Sequence, residues 1–205
     1  MTRFLPALFA ALITVVATAA PVQAAGGDGK ALTLDEMNRQ VTAMRKIGFA
    51  DPDKKPFKLT SLKGKLVWLN QWAHWCGPCI AEFDSMKKAQ AALGRDKLEI
   101  VLVSRPQFWE ADRKFAKAKG LDWPMVVFAE PNAALLRQAN LAPAAANDAV
   151  PNEGSVPVHT LLGKDGRGLL VARGAPSSSP GNGAPAQLEW EQAWFIDRLK
   201  GWAAE

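Results

Sequence analysis

The chain has 205 residues, of which 48% are hydrophobic and 22% are charged, and its formal net charge at pH 7 is +5. This length is enough for one domain with a sizeable hydrophobic core. The excess of basic residues is mild and forms no basic run or aromatic–basic stripe, so we expect no nucleic-acid partner.

The first 24 residues indicate export. Arg3 is the one charged side chain in this range, and Val22-Gln23-Ala24 is typical of a signal-peptidase site. We therefore predict a cleavable signal peptide over residues 1–24 and a periplasmic protein. The alternative is an uncleaved membrane anchor, which the Ala- and Thr-rich composition disfavours because stable spans need ~20 strongly apolar residues.

Residues 25–48 are predicted to form an N-terminal extension with a helix. The helix is expected over Leu32–Ile47, because apolar residues recur at helical spacing and Thr33 with Glu36 makes a capping box. Its apolar face consists of Leu34, Met37, Val41, Met44 and Ile47. Two short apolar segments then flank the turn-rich residues 51–56 and predict a small hairpin.

The two cysteines of the chain, Cys76 and Cys79, lie between a predicted strand and a predicted helix. Lys65–Leu69 is an apolar run typical of a buried strand, and apolar residues at three- and four-residue spacing predict a helix over Ile80–Leu93. A helix N-terminus presents unpaired N–H groups and the positive end of the dipole, which favour an anion such as the Cys76 thiolate. Cysteines in such motifs have pKa values lowered from ~8.5 to roughly 3.5–7.5.

This placement predicts that Cys76 attacks a partner disulfide and that Cys79, more buried, resolves the mixed disulfide. Two alternatives remain for the pair. A zinc site of four thiolates uses two Cys-x-x-Cys motifs, and this chain has one. A purely structural disulfide across so short a loop contributes on the order of 2 kcal/mol or less to the free energy of unfolding. We therefore expect redox chemistry, with no bound metal and no cofactor.

The chain after the cysteine motif alternates strands and helices. Leu98–Ser104 and Met125–Phe128 are predicted strands, Gln107–Lys119 is a predicted helix that ends at Gly120, and Asn132–Ala139 is a predicted short helix. The inward face of the longer helix is expected to hold Phe108, Ala111, Phe115 and Ala118. Alternating units of this kind place parallel strands beside crossover helices.

The last part of the chain combines irregular segments with a hairpin and a helix. Leu141–Ser155 is longer than the usual connection of about 4–6 residues, so it is either a rim of the active site or a spacer. The remaining predictions, in chain order, are a hairpin of Val156–Leu162 and Leu169–Arg173, a Pro/Gly/Ser-rich linker over Gly174–Ala186 and an amphipathic helix over Leu188–Ala203. The residues of this helix available to the core are Trp190, Trp194, Leu199 and either Phe195 or Ile196.

The string Trp75-Cys-Gly-Pro-Cys79 after an apolar strand resembles the thioredoxin superfamily, and the longer string Phe57–Glu82 is similar to its exported TlpA/ResA/DsbE-like branch. The resemblance extends over residues 45–203. It implies an α/β, thioredoxin-like fold over residues 49–205, in which helices flank a central mixed sheet. The N-terminal helix and the hairpin would be additions to this domain.

The resemblance also implies an activity. It indicates an exported thiol–disulfide oxidoreductase that acts through Cys76 and Cys79 on protein disulfides or thiols and receives electrons from a membrane reductant donor. We expect the reductase direction, because Gly-Pro between the cysteines resembles thioredoxin, poised at roughly −270 mV, rather than strong oxidants at about −120 mV. Cytochrome c maturation and copper-site assembly are examples of its expected tasks, and we expect a monomer.

Residues outside the cysteine pair also receive roles from the resemblance. Pro157 corresponds to a cis proline that faces the disulfide, and the backbone of Val156 would pair with a substrate chain by strand addition. Trp75 is the second expected substrate contact. Glu82 shares a helix face with Cys79 and corresponds to a partly buried glutamate that exchanges protons with the thiols. The alternative for Glu82 is a first-turn carboxylate that complements the helix dipole.

Two polar residues near the motif carry further expectations. Asn70 stands where cytosolic thioredoxins have a buried, titrating aspartate, so proton shuttling passes to Glu82 or water. His74, two residues before Cys76, would as a cation stabilise the thiolate, or it could be a solvated turn residue. With Cys76 and Cys79, His74 could also bind copper(I) or zinc, and this defines the alternative function, a copper-handling thiol protein.

Overall fold

The structure, a computed structural model, describes residues 48–51, 53–129, 156–173, 177–178, 187–188, 190 and 192–205, together with Asp35, Arg39, Thr42 and Lys46. These last four positions are helical and exposed. They recur at three- and four-residue spacing, as the solvent side of the predicted N-terminal helix should. The predicted signal peptide, the apolar face of that helix, the helix at 132–139 and the segment 141–155 lie outside the described residues.

Among the described residues, a mixed seven-stranded sheet forms the centre of the fold. Its strands are β1 (Phe49–Ala50), β2 (Pro56–Phe57), β3 (Leu66–Gln71), β4 (Leu98–Ser104), β5 (Met125–Phe128), β6 (Val158–Leu162) and β7 (Gly168–Arg173). They lie in the order β2-β1-β5-β4-β3-β6-β7. The β3–β4 and β4–β5 pairs are parallel, and the other pairs are antiparallel. The predicted mixed sheet and both predicted hairpins are confirmed.

The helices lie between and after these strands. They are α1 (Gly77–Leu93), α2 (Trp109–Ala118) and α3 (Ala193–Ala204), with 3-10 turns at Leu59–Leu62 and Pro106–Phe108. A separate two-stranded ladder pairs β8 (Ser177–Ser178) with β9 (Gln187–Leu188). Within the described ranges, none of the helices has the length and apolarity needed to span a membrane.

The central strands are buried on both faces. In β3, Leu66 and Trp68 belong to the core cluster that includes side chains of α1 and α3, whereas Val67 and Leu69 belong to a second cluster on the opposite face. Successive side chains of a strand alternate between the faces, so a strand covered on both sides is a continuous apolar run in the sequence. This double burial explains why β3 and β4 could be predicted.

The inward face of α2 differs from the predicted one. Its buried residues are Trp109, Asp112 and Ala116. The predicted Ala111 and Ala118 are exposed, and the predicted Phe108 and Phe115 are half-buried. The prediction followed apolar residues alone, whereas the charged Asp112 is buried because it binds another part of the chain.

The C-terminal helix begins later than predicted, at Ala193 rather than at Leu188. Leu188 belongs instead to β9, and its partner β8 lies in the segment predicted to be a linker. Within α3, Phe195 and Leu199 are buried at i, i+4 spacing, and Trp194 is 46% exposed, so its predicted burial is wrong. Adjacent helical residues point about 100° apart, so a core contact at Phe195 turns Trp194 away.

Candidate active site

The cysteine motif occupies the turn between β3 and α1. Cys76 is the N-cap residue of α1 and forms a disulfide with Cys79 in the first helical turn. The backbone N–H of Cys79 donates to the Cys76 Sγ over 3.2 Å. Pro78 fits between them because the first turn of a helix has N–H groups without intrahelical partners. The Cys79 N–H and the helix dipole are therefore in place to stabilise a Cys76 thiolate after reduction.

The two cysteines differ in depth. Cys79 is fully buried and Cys76 is 4% exposed, so the predicted order of burial is confirmed, although Cys76 is less open than expected. Trp75 is 42% exposed, and its ring packs edge-on against Phe108 with centroids 5.9 Å apart. Trp75 thus presents an apolar surface directly before the outer cysteine.

The Val156–Pro157 peptide bond is cis, as predicted. β6 begins directly after it at Val158, which pairs with Gln71 at the end of β3 that leads into the cysteine motif. The cis bond therefore lies at the start of β6, beside the end of β3 from which the chain enters the cysteine turn. Pro157 is buried, and Val156 packs half-buried against the core cluster that contains both cysteines. Direct contact of Pro157 with the sulfurs and substrate pairing at Val156 stay predictions.

Glu82 lies on the inner side of α1 and is 2% exposed, deeper than the expected partial burial. The helix begins at Gly77 and its first turn holds no acidic residue, so the alternative of a first-turn carboxylate is wrong. The Glu82 Oε2 lies 2.7 Å from the Nε2 of His159. Asn70 is also buried, and its Nδ2 donates to the Met86 Sδ over 3.3 Å. Because an amide does not titrate, Asn70 is no proton acceptor here, and the ionisable side chains beside it are Glu82 and His159.

His159 comes from β6, where it pairs across the sheet with Asn70 of β3. It is 1% exposed, and its Nδ1 accepts a hydrogen bond of 3.1 Å from the Trp68 indole N–H. The Trp190 ring packs against it with centroids 4.8 Å apart. From the sequence we predict only that His159 belongs to the strand. Strand alternation is the signal that could have found the contact, because a residue paired with Asn70 shares the sheet face that α1 covers.

A second histidine–carboxylate pair holds the turn before the cysteines. The Oδ1 of Asp112 accepts the backbone N–H of His74 over 2.7 Å and lies 2.8 Å from the His74 Nδ1. Asp112 is fully buried, whereas the His74 side chain is 32% exposed and packs against Phe108. His74 is therefore an anchored turn residue rather than a freely solvated one. Asp112, which sequence analysis missed, connects α2 to the cysteine turn.

The alternative ligand set is not assembled in this disulfide-bonded form. Among the described residues, no group of three or more His, Cys, Asp or Glu side chains is arranged to hold a metal ion. The proposed copper ligands Cys76, Cys79 and His74 therefore do not form a site in this state, and both thiols are committed to the disulfide.

Comparison with known sequences points to redox proteins. Residues 26–167 match the profile of the AhpC/TSA family. The thiol-disulfide oxidoreductase ResA of Bacillus subtilis (strain 168) is 36% identical over 77 residues, which are 38% of this chain and 43% of that protein. The chain thus spans less than half the length of this curated relative.

Solved structures share the fold. A protein named as a disulfide isomerase from Bacteroides thetaiotaomicron aligns with a TM-score of 0.52 and 19% identity, over 77% of this chain and 86% of that one. A protein named as the thiol:disulfide interchange protein DsbE from Chlorobium tepidum aligns with a TM-score of 0.51 and 20% identity, over 77% and 92%. At these identities the likeness concerns the fold, a thioredoxin-like arrangement of a mixed sheet and flanking helices.

Proposed function

This chain belongs to the AhpC/TSA family, and from that premise we propose that it is an exported thiol–disulfide oxidoreductase that reduces disulfides of other proteins. The observation that carries the proposal is the position of Cys76 at the N-cap of α1, where its Sγ accepts the backbone N–H of Cys79. A sulfur held in this way is a stabilised thiolate once the disulfide is reduced. The similarity to a relative named as a thiol-disulfide oxidoreductase supports the same activity.

The first step uses Cys76. Its thiolate attacks one sulfur of a substrate disulfide, the substrate S–S bond breaks, and the second substrate sulfur leaves as a thiolate that takes a proton. The product is a mixed disulfide between Cys76 and the substrate. Trp75 offers its exposed ring to the substrate chain, and the backbone at Val156, before the cis Pro157, pairs with it by strand addition.

The second step uses Cys79. Its thiol loses a proton to the Glu82 carboxylate, and the resulting thiolate attacks the Cys76 Sγ. The Cys76–Cys79 disulfide forms, the mixed disulfide breaks, and the substrate leaves with its second sulfur reduced. Two electrons have then passed from the cysteine pair to the substrate, and a membrane dithiol donor must return two electrons to start another cycle. Burial of Cys79 keeps it from attacking free partners before Cys76 has done so.

The direction, place and substrates of the reaction belong to the same proposal. The Gly77-Pro78 pair between the cysteines resembles that of thioredoxin and favours a reductant, with a reduction potential of roughly −270 mV. The signal peptide proposed for residues 1–24 would direct a monomer with a thioredoxin-like domain over residues 49–205 to the periplasm. Its substrates would be exported proteins with cysteine pairs, such as those of cytochrome c maturation or copper-site assembly.

A cysteine-trapping experiment tests the activity. Removal of Cys79 leaves the first attack intact and stops the release, so the Cys79→Ser protein should accumulate covalent partner complexes that dissolve with reductant. The matched Cys76→Ser protein should form few or none. If the Cys76 variant traps partners and the Cys79 variant does not, the nucleophile is assigned wrongly. If neither variant traps a partner, the oxidoreductase proposal fails, and the metal content of the reduced protein then tests the copper-handling alternative.

A further inference from the structure

The Glu82–His159 pair raises a question about where its protons reside, since both side chains are almost fully buried. We propose that His159 is a positioning residue of the redox site: the Trp68 indole holds it as the neutral Nε2–H tautomer, and in that form it enables the buried Glu82 carboxylate to ionise and accept the Cys79 proton. This inference rests on the proposed function and adds to it a residue from β6.

The tautomer follows from the partner of Nδ1. An indole N–H is a donor only, so Nδ1, which lies 3.1 Å from the Trp68 Nε1, must present its lone pair. A neutral imidazole has one N–H, and it is then at Nε2, which lies 2.7 Å from the Glu82 Oε2. A second proton on Nδ1 would set two donors against each other. The contact with Trp68 therefore keeps the ring neutral.

A neutral donor suits a base that must change its protonation state. A buried carboxylate without a donor stays protonated, because burial disfavours its charged form. A cationic histidine at the same place would hold the carboxylate ionised and weaken it as a base. The Nε2–H of a neutral His159 lies between these extremes: its nitrogen is 2.7 Å from the Glu82 Oε2, and its dipole favours the Glu82 anion without adding a positive charge.

Apart from Glu82, the residues that contact or pair with His159 in the described part of the chain are uncharged. Trp68 and Asn70 of β3 lie beside His159, Ala172 of β7 pairs with it, and the ring of Trp190 packs on it. Of the two carboxylates of α1, Asp84 is exposed and pairs with Lys87, whereas Glu82 is buried. The proton that leaves Cys79 therefore has Glu82 as the buried carboxylate on its own helix.

The tautomer can be measured directly, without an activity assay. The chain has two histidines, so in protein labelled with 15N-histidine the His74→Asn variant leaves the ring signals of His159 alone. We expect a bare Nδ1 and a protonated Nε2 between about pH 5 and pH 8, where exposed imidazoles titrate. An imidazolium with both nitrogens protonated, or a proton on Nδ1 alone, would overturn the proposal.

The consequence for the second step is measured with two variants. Reduced protein reacts with dithiobis(nitrobenzoate) in two phases: attack by Cys76 releases one thionitrobenzoate, and resolution by Cys79 releases the second. His159→Phe keeps an aromatic ring in place and removes the Nε2–H beside Glu82, so the pH midpoint of the second phase should rise. His159→Gln keeps an amide N–H and should restore most of the shift. The first phase should be unchanged in both variants.

The outcomes separate a failure of the His159 proposal from a failure of the proposed function. A folded His159→Phe protein with an unchanged second-phase midpoint overturns the proposal, as does a Gln variant that behaves like Phe. If the unsubstituted protein lacks two phases, the proposed function fails, while the ring signals still report whether His159 is held as described. If the Phe variant does not fold, the tautomer of the native histidine and the second-phase midpoint of the Gln variant together decide whether the proposal stands.

Discussion

Both histidines of the chain contact a buried carboxylate near the cysteines, and the two pairs are built in opposite ways. The His74 ring is on the cysteine turn, is about one-third exposed, and has its Nδ1 against Asp112. The His159 ring is in the core, packs among aromatic rings, and has its Nε2 against Glu82. The His74 Nδ1 faces a carboxylate oxygen, whereas the His159 Nδ1 accepts from the Trp68 indole N–H, which in our proposal leaves the proton of His159 on Nε2.

On this difference rests our proposal that the Asp112 pair is structural and the Glu82 pair transfers protons. The Asp112 carboxylate accepts the backbone N–H of His74 and also contacts its ring, so this pair fixes the shape of the turn. His159 cannot take a second proton while Trp68 donates to it, and its carboxylate lies on the helix face of Cys79. We therefore expect substitutions in the Asp112 pair to affect stability and substitutions in the Glu82 pair to affect the second chemical step.

The largest expected effect is kinetic and follows replacement of the Glu82 carboxylate. Glu82→Gln should slow the second thionitrobenzoate phase about 10²-fold, in the range typical of a lost general base. The first phase should be unchanged, because the Cys76 Sγ is held by the Cys79 N–H. Stopped-flow absorbance measures both phases. The matched control is Glu110→Gln, which removes an exposed carboxylate on α2 and should change neither. A Glu82 variant with wild-type kinetics would remove Glu82 from the mechanism.

The next effect is on folding and follows removal of the Asp112 carboxylate. Asp112→Ala leaves the His74 backbone N–H without its acceptor and should lower the free energy of unfolding by roughly 2 kcal/mol. Asp112→Asn keeps an acceptor oxygen and should lose about half as much. Urea unfolding measures the free energy. The rate of the second thionitrobenzoate phase should stay near wild type in the folded fraction, and a slowed phase would contradict the division between the two pairs.

The local features of the fold and of the site could be predicted from the sequence. The strands β3 and β4 and the helix α1 follow from apolar runs and helical spacing, and so does the position of Cys76 at the start of α1. The cis bond at Pro157 follows from the family resemblance alone, because X–Pro bonds are cis in only about 5–6% of cases in folded proteins. These features depend on short stretches of chain or on a recognisable motif.

The missed features depend on contacts between distant segments. Asp112 is buried because it binds His74 from another element, and a search for apolar periodicity assigns such a charged position to the solvent side. The contact of His159 with Glu82 requires the antiparallel register of β3 and β6, which one sequence does not specify. Which side chains of α3 face the core depends on the residue at which the helix begins, and helix ends are the least certain part of a prediction.

The smallest expected effect is on the first thionitrobenzoate phase and follows replacement of His74, the exposed histidine of the Asp112 pair. His74→Ala should change the rate of the first thionitrobenzoate phase by about threefold or less at pH 7.5, because charges on exposed groups are screened and the Cys79 N–H remains. Stopped-flow absorbance measures the rates of the two proteins at pH 7.5. A more than tenfold loss at pH 7.5 would make His74 part of the redox mechanism, and a simultaneous loss of copper(I) binding by the reduced protein would favour the copper-handling function, because a third ligand would then be essential.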